Sequence, residues 1–402
     1  MKKVSILQKM AQIAVILVVF IVPSSFCQGY SLVPMTNPDP SYNILNAVQV
    51  LNSNIAFAVG QNGTFLKLNG GTWSLVPTSF SNKNLSGISA TSATDALICG
   101  SGGFVAHYNG SSLTQQTIGT NSGLCDIKRS GSKAYVCGLN GAFWCSVNNG
   151  TTWTQVMTGI YNVSLYAMFI DAVGNIWLVG NENSSMNGKL FFYNGSSFME
   201  KASISGLTAG QGIGSIWSPD GNIFYIPTKV GVYMYNNSTS ILSPVTNYSY
   251  SYVYGLSASS IIFSNSSSGD ISLFNGISSW QNIGTVNYIY DISASGPSNV
   301  IFVGYNGAIY HLDMTTGLND QSTAASSFSI YPNPAQSDIT LSLDIDHRKD
   351  ACVELYNNLG QKVAVVTVSD VVHLSVADLP RGLYFVRVKV GETIETKKVL
   401  LN

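Results

Sequence analysis

The stretch "AYVCGLNGAF" at residues 134–143 is one of seven versions of a single phrase. The others read "AFAVGQNGTF" (56–65), "ALICGSGGFV" (96–105), "NIWLVGNEN" (175–183), "NIFYIPTKVG" (222–231), "IIFSNSSSGD" (261–270) and "VIFVGYNGAI" (300–309). Each is a short apolar run ended by Gly, Asn or Ser, the pattern of a buried strand entering a tight turn. A second apolar run precedes each phrase ("GISAT", "CDIKR", "AMFID", "YGLSA", "YDISA"), and a third follows it into a polar turn ("LKLNGGTW", "AHYNGSSL", "CSVNNGTTW", "FFYNGSSF"). Short strands recurring every 35–45 residues with Gly/Asn/Ser turns are the mark of small four-stranded sheets stacked radially. One such sheet cannot cover both its faces, so each needs two neighbours. The expected fold is all-β: a seven-bladed β-propeller over residues 28–318, followed by a small C-terminal β-sandwich.

A ring must also close. The seventh unit runs out after three strands, and its fourth is missing. The segment "YSLVPMTNP" (30–38) has no unit of its own, yet it repeats the "SLVP" of the first unit's fourth strand, "WSLVPTSF" (73–80). The N-terminal segment is therefore expected to supply the outer strand of the last blade.

Residues 1–27 read as an export signal. Lys2, Lys3 and Lys9 precede an apolar run at 13–22, too short for a permanent span, and Ser25 and Cys27 suit a cut before Gln28. A lipidated Cys27 is the alternative, disfavoured by the bulky Phe26. No other segment is apolar enough to be a stable transmembrane helix.

Net charge is −1, and 10% of residues are charged. This excludes a nucleic-acid partner, which needs a basic face. Cysteine spacing fits no zinc site, and neither metal nor cofactor is expected. Cys125, Cys137 and Cys145 fall on three neighbouring strands, so one bridge at most forms among them. Cys99 and Cys352 are expected to be buried thiols.

The turn "SVNNGTTW" (146–153) closely resembles an Asp-box, with Ser146, Asn148, Gly150 and Trp153 in the motif positions and Asn148 where the motif has Asp. The propeller thus resembles sialidase-type Asp-box repeats and photosystem-II stability-factor-like repeats. The resemblance implies a structural role for this turn, remote from a ligand. It does not extend to sialidase chemistry. Arg129 is the only Arg between residues 28 and 318, and one guanidinium cannot build the arginine cluster those enzymes use on a carboxylate. Only Glu182 and Asp270 are acids in loops after the second strand of a unit, where ligands are expected, and they lie two units apart. Two carboxylates at glycosidase spacing are therefore hard to assemble. The same face offers Tyr250, Tyr252, Tyr288 and Asn306. In "NYSYSYVYG" (247–255) tyrosines alternate with other residues, so in a strand Tyr248, Tyr250, Tyr252 and Tyr254 would share one side. Tyrosine combines a flat apolar face with a hydroxyl, suited to a neutral glycan or a surface protein. The expectation is a monomeric, non-catalytic binding or adhesion module. A glycan-active hydrolase or lyase is the alternative, and a structural envelope component a third reading.

After a small polar linker at 319–326, composition changes. Charged residues number 18 of 291 over 28–318 but 17 of 76 over 327–402. "YPNP" (Tyr331, Pro332, Asn333, Pro334), "LYNNLGQKV" (355–363, with Gly360), "LPRGLYFVRV" (379–388, with Gly382 and Tyr384) and "KKVLLN" (397–402, with Lys397 and Lys398) resemble the C-terminal sorting domain of type IX secretion substrates. The resemblance implies passage through the periplasm, recognition of the tail by the type IX export machinery, and delivery to the surface or the medium.

Overall fold

A computed structural model describes residues 29–207, 212–286, 288–315, 328–343, 351–357, 362–367, 371–390 and 393–402. The expected signal segment (1–27), the expected linker (319–326) and Gly360 lie outside the described residues. The chain divides into two compact units, residues 30–314 and a C-terminal unit that includes 315–402.

In the first unit the strands form antiparallel sheets of consecutive strands. Sheet one comprises Leu45–Asn52, Ile55–Gly60, Phe65–Asn69 and Thr72–Leu75. Sheets two, three and four repeat this order, with innermost strands Leu85–Ser92, Leu124–Ser130 and Val163–Ile170. Sheet five has three strands, Ile223–Thr228, Gly231–Asn236 and Ile241–Thr246. Sheet six starts at Tyr252–Ser257 and sheet seven at Ile289–Ala294. The fourth strand beside Ile309–Thr315 of sheet seven is the N-terminal Gly29–Pro34.

Sheet five departs from the repeat. Where the repeat calls for an innermost strand, the segment "GSIWS" (214–218) contributes only the pairing of Trp217 with Tyr225. The segment has Gly212 and Gly214, and the Trp217 indole lies against Gly255 of sheet six, where a Cβ would come within 2.1 Å of it. The segment still lines the inner side of sheet five, where Ile213 and Ser215 bond Asn181 and Val253 of the neighbouring sheets.

The core is a series of wedges between sheets, which follows from alternation along each second strand. Phe57 and Val59 point toward Leu85, Ile88 and Phe104 of sheet two. Ala56 and Ala58 point the other way, toward Ile301, Val303 and Ile309 of sheet seven. Comparable clusters join sheets two and three, three and four, four and five, five and six, and six and seven.

The recurrent Gly at the end of the second strand has a steric cause. Gly60, Gly138 and Gly304 each precede a short turn, and the backbone of Gly138 is extended (φ −174°), which any residue adopts. Space is what forbids a side chain. A Cβ on Gly60, Gly100, Gly138, Gly180 or Gly304 would fall 2.1, 2.4, 2.2, 2.1 or 2.0 Å from the carbonyl oxygen of Ile44, Asn84, Gly123, Ser164 or Tyr288. In four of the five units that carbonyl accepts the N–H of the residue after the Gly (Gln61, Ser101, Leu139, Tyr305). Gly138→Ala is expected to cost about 3 kcal/mol by overpacking, read as a lowered midpoint in urea. Gly296→Ala, where nothing lies within 4 Å, serves as the near-neutral control.

The "SVNNGTTW" turn is held by its own side chains. Ser146 Oγ accepts the Gly150 N–H at 2.9 Å, and Asn148 Oδ1 accepts the Thr152 N–H at 2.9 Å. Gly150 has φ +80°, and a Cβ there would also strike Leu97 of sheet two. Trp153 packs in the wedge between sheets two and three.

All five described cysteines are free thiols. The expected cross-strand alignment is off in register, since Cys137 faces Phe143 and Cys145 faces Tyr135. Cys125 occupies a bulge between Leu124 and Asp126. Cys352 is only partly buried.

In the C-terminal unit, Phe328–Tyr331, Asp338–Leu343 and Val371–Ser375 form one sheet. Lys362–Thr367, Ala351–Asn357, Gly382–Val390 and Thr393–Leu401 form the other. They share a core that includes Ile339, Leu341, Val353, Val386, Val399 and Leu401.

Candidate functional site

The innermost strands of the propeller sheets have no strand on their inner side, so the N–H and C=O groups of that free edge need other partners. Side chains supply them from sheet to sheet. Gln49 bonds the N–H and C=O of Ala90, and Ser86 bonds Leu124 O. Asp126 accepts the Met168 N–H at 2.8 Å, and Asn181 accepts the Ile213 N–H at 2.9 Å. Ser215 bonds Val253, and Tyr254 donates to Ala294 O at 2.6 Å. From sheet seven to sheet one, Asp291 accepts the Val48 N–H at 2.8 Å and Ser293 the Val50 N–H at 3.0 Å.

These strands surround a cavity of about 1000 Å³. Its rim includes Gln61, Lys229 and Ser266 from the loops after second strands, so it opens on the face expected to bind ligand. Inside lie Asp126, Lys128, Asp291, Tyr252, Tyr254 and Tyr290. Lys128 Nζ is 3.2 Å from Asp126 Oδ1. Desolvation works against the Lys128 charge, but the carboxylates of Asp126 and Asp291 outweigh it and raise its pKa. Asp291 is pushed up to about 7 by burial, against the pull of Lys128 and of the Val48 and Ile292 N–H groups. Burial also raises Tyr252 and Tyr290.

The candidate residues named above do not form one site. Tyr252 lines the cavity with Tyr254. Tyr250 does not join them. It is 7% exposed, stacks on Trp280 at 5.3 Å and donates to Ser272 Oγ, so its ring is core. The expected row of four tyrosines fails because the strand begins only at Tyr252, leaving Tyr248 in solvent.

Tyr288 and Asn306 form a surface group. Tyr288 is 45% exposed and Tyr305 42%, with their rings edge to face at 5.8 Å. Tyr42, 58% exposed, has its backbone beside the same turn: its Cα lies 3.3 Å from where a Gly307 Cβ would be. Asn306 (φ 55°) holds the left-handed position of this turn, as Asn62 and Asn140 do in theirs.

Glu182 and Asp270 remain apart, on sheets four and six. Glu182 is held by Ser185, Asn187 and Lys189, and Asp270 by Ser268 and Thr285. Those bonds lower the pKa of each, led by Ser185 for Glu182 and by Ser268 for Asp270. A glycosidase acid needs the opposite shift. Among the described residues no cluster of His, Cys, Asp and Glu could hold a metal ion.

The inter-sheet role of Asp126 and Asp291 was missed in the sequence. Its signal was present: "CDIKR" and "YDISA" place Asp in the same slot of the first strand, where other units have Ala47, Gly87 and Ala167.

In the C-terminal unit the motif residues meet. Asn333 Nδ2 donates to Lys398 O and Asn333 Oδ1 accepts the Leu400 N–H, both at 2.9 Å. Ala335 exchanges backbone bonds with Leu400 and Asn402. "YPNP" therefore clasps "KKVLLN". Tyr384 is buried and donates to Pro380 O, Gly382 has φ +142°, and Lys397 Nζ sits 4.9 Å from the Phe328 ring centroid. Tyr331 and Lys398 are exposed.

Residues 329–402 match the family described as secretion system C-terminal sorting domain. The tail is such a domain, and it marks the chain for type IX export to the cell surface or medium. No helix among the described residues is long and apolar enough to cross a membrane. The comparison with curated proteins gave no match. Among solved structures, YCF48 bound to D1 peptide aligns with TM-score 0.57 and 13% identity, covering 71% of this chain and 96% of that one. PorZ, a surface component of the type IX secretion system of Porphyromonas gingivalis, aligns with TM-score 0.56 and 12% identity. That match covers 90% of this chain but 59% of the PorZ chain. The extracellular domain of BT4673 from B. thetaiotaomicron aligns with TM-score 0.55 and 10% identity, covering 92% of this chain and 58% of that one. At these identities the likeness concerns the fold, a β-propeller.

Proposed function

We propose that this protein is an exported, non-catalytic binding module: a seven-bladed propeller, closed by its N-terminal strand, whose loop face holds a neutral glycan. The blade count rests on the repeat and on the wedge clusters between successive sheets. Closure is supported by the pairing of Gly29–Pro34 with sheet seven and by the Asp291–Val48 tie.

The single observation that carries the binding role is the exposed, edge-to-face Tyr288–Tyr305 pair. Exposed aromatic rings with hydroxyl tips offer stacking faces and hydrogen bonds to a sugar. The non-catalytic reading rests on Glu182 and Asp270, which are separated, locally bonded and held as carboxylates.

A glycan array with the secreted protein tests this. Binding to neutral oligosaccharides is expected, and Tyr288→Ser with Tyr305→Ser should remove it while the melting temperature stays near wild type. Glycan binding that ignores both substitutions, or no glycan binding at all, counts against this site. Polysaccharide turnover lost in Glu182→Gln or Asp270→Asn would favour the hydrolase or lyase instead.

A further inference from the structure

The central cavity poses a separate question, because it holds a carboxylate without a matching cation. Three charged side chains lie inside it. Lys128 sits at ion-pair distance from Asp126, at 3.2 Å. Among the described residues, Asp291 has no Lys, Arg or His within that distance, and its oxygens accept only the Val48 and Ile292 N–H groups. Lys229, the other charged lining residue, is solvent-exposed at the rim. Two carboxylates facing one ammonium leave the interior one negative charge in excess when both are ionised.

The surroundings of Asp291 are aromatic. Tyr252 and Tyr254 of sheet six lie within electrostatic reach of it, Tyr290 precedes it in its own strand, and all three line the cavity. Tyr254 is fixed by its bond to Ala294 O. The hydroxyls of Tyr252 and Tyr290 make no hydrogen bond within the described protein, though both border the open space. A partly buried carboxylate beside tyrosine rings is complementary to an organic cation, which gains both Coulomb attraction and contact with the ring quadrupoles. A cavity of about 1000 Å³ admits a small head group with room for water.

We propose that this cavity is a receptor site for an organic ammonium group, held by Asp291 within the wall of Tyr252, Tyr254 and Tyr290. The site is anchored on Asp291, which is not part of the surface tyrosine pair, so Asp291→Asn tests it separately from the Tyr288 and Tyr305 substitutions.

Proton linkage gives the test its sign. Asp291, near 7, is largely protonated below that pH and ionised above it. The titratable and charged groups facing it are Asp126, Lys128 and Cys125 from sheet three, Tyr252 and Tyr254 from sheet six, Tyr166 from sheet four and its neighbour Tyr290. The ammonium binds the ionised form. Apparent affinity therefore scales with the ionised fraction, a rise of about tenfold between pH 6 and pH 8. By reciprocity, binding near pH 6 releases a proton.

Titration calorimetry of the full chain with choline chloride, ethanolamine and dimethylbutanol, the neutral isostere of choline, reads this directly. Choline should bind saturably and more tightly at pH 8 than at pH 6, with an enthalpy that depends on the buffer near pH 6. Dimethylbutanol should bind more weakly, with no such dependence. Ethanolamine separates a primary-ammonium source from a quaternary one. Asp291→Asn, which keeps an acceptor for the Val48 N–H, should weaken choline binding and flatten its pH profile. If that variant does not fold, the isostere comparison on the wild type decides alone. Equal binding of choline and dimethylbutanol at both pH values, or no saturable signal from either amine, overturns the proposal.

Discussion

Deletion of residues 29–36 is expected to abolish the cooperative unfolding of the propeller unit. The N-terminal strand pairs with Ile309–Thr315, and Met35 continues the ladder by donating to Ile309 O at 2.9 Å. Leu32 and Tyr30 pack on the cluster between sheets six and seven, with Leu32 seated over Gly284. Removing them strips a sheet edge and opens that wedge. The ladder bonds and buried area together account for about 5 kcal/mol or more, a large part of the 5–15 kcal/mol that typically stabilises a domain.

The following residues secure the same junction. Asn37 Nδ2 donates to Gly307 O at 2.8 Å, while Asp39 accepts from Ser41, Asn43 and Thr64. One short segment thus holds loops of sheets seven and one. Asp39 is buried, which alone would raise its pKa, yet the bonds from Ser41, Thr64 and Asn43 hold it below the usual carboxylate range. Circular dichroism melts and limited proteolysis of the deletion variant give the result. A melt as sharp and as high as wild type would mean that the strand is dispensable, and closure by the N-terminus would be wrong.

Removal of residues 397–402 is expected to stop export, lowering the extracellular fraction by an order of magnitude or more while precursor collects in the periplasm. The deleted residues carry Val399 and Leu401, both fully buried, and complete a strand paired with Gly382–Val390. They also hold the backbone groups that Asn333 and Ala335 bond. Truncation consequently removes both the recognised end and part of the tail's core. Lys398→Gln separates these effects, because Lys398 is exposed and its loss leaves the core intact. Asn333→Ala acts on the clasp alone and is expected to reduce secretion less than truncation does. Fractionation with immunoblotting measures all three, and normal secretion of the truncated chain would contradict the sorting role of the terminus.

Much of the fold was legible because it depends on local rules repeated along the chain. Alternating apolar residues gave the strands of sheets one to four, six and seven, and the Asn-Gly turns separated them. The recurrent Gly was visible as well, although its cause was not. Only the fold shows that the carbonyl of the preceding segment lies 2.0–2.4 Å from a would-be Cβ. Sheet five is less legible, since no periodicity marks the loss of ladder pairing along 214–218, where only Trp217 pairs with Tyr225.

The candidate site was harder to read. Alternation in "NYSYSYVYG" suggested one aromatic face, but alternation fixes a face only inside a strand, and the strand starts at Tyr252. Tyr250 therefore turned into the core while Tyr252 reached the cavity. By itself, the sequence determined the repeat, the orphan strand and the sorting tail, because each is written in contiguous residues and short-range geometry. Tertiary structure alone decided which side chains meet across the cavity. Asp126 and Asp291 are 165 positions apart, and only the radial stacking of separate sheets puts both carboxylates within electrostatic reach of Lys128.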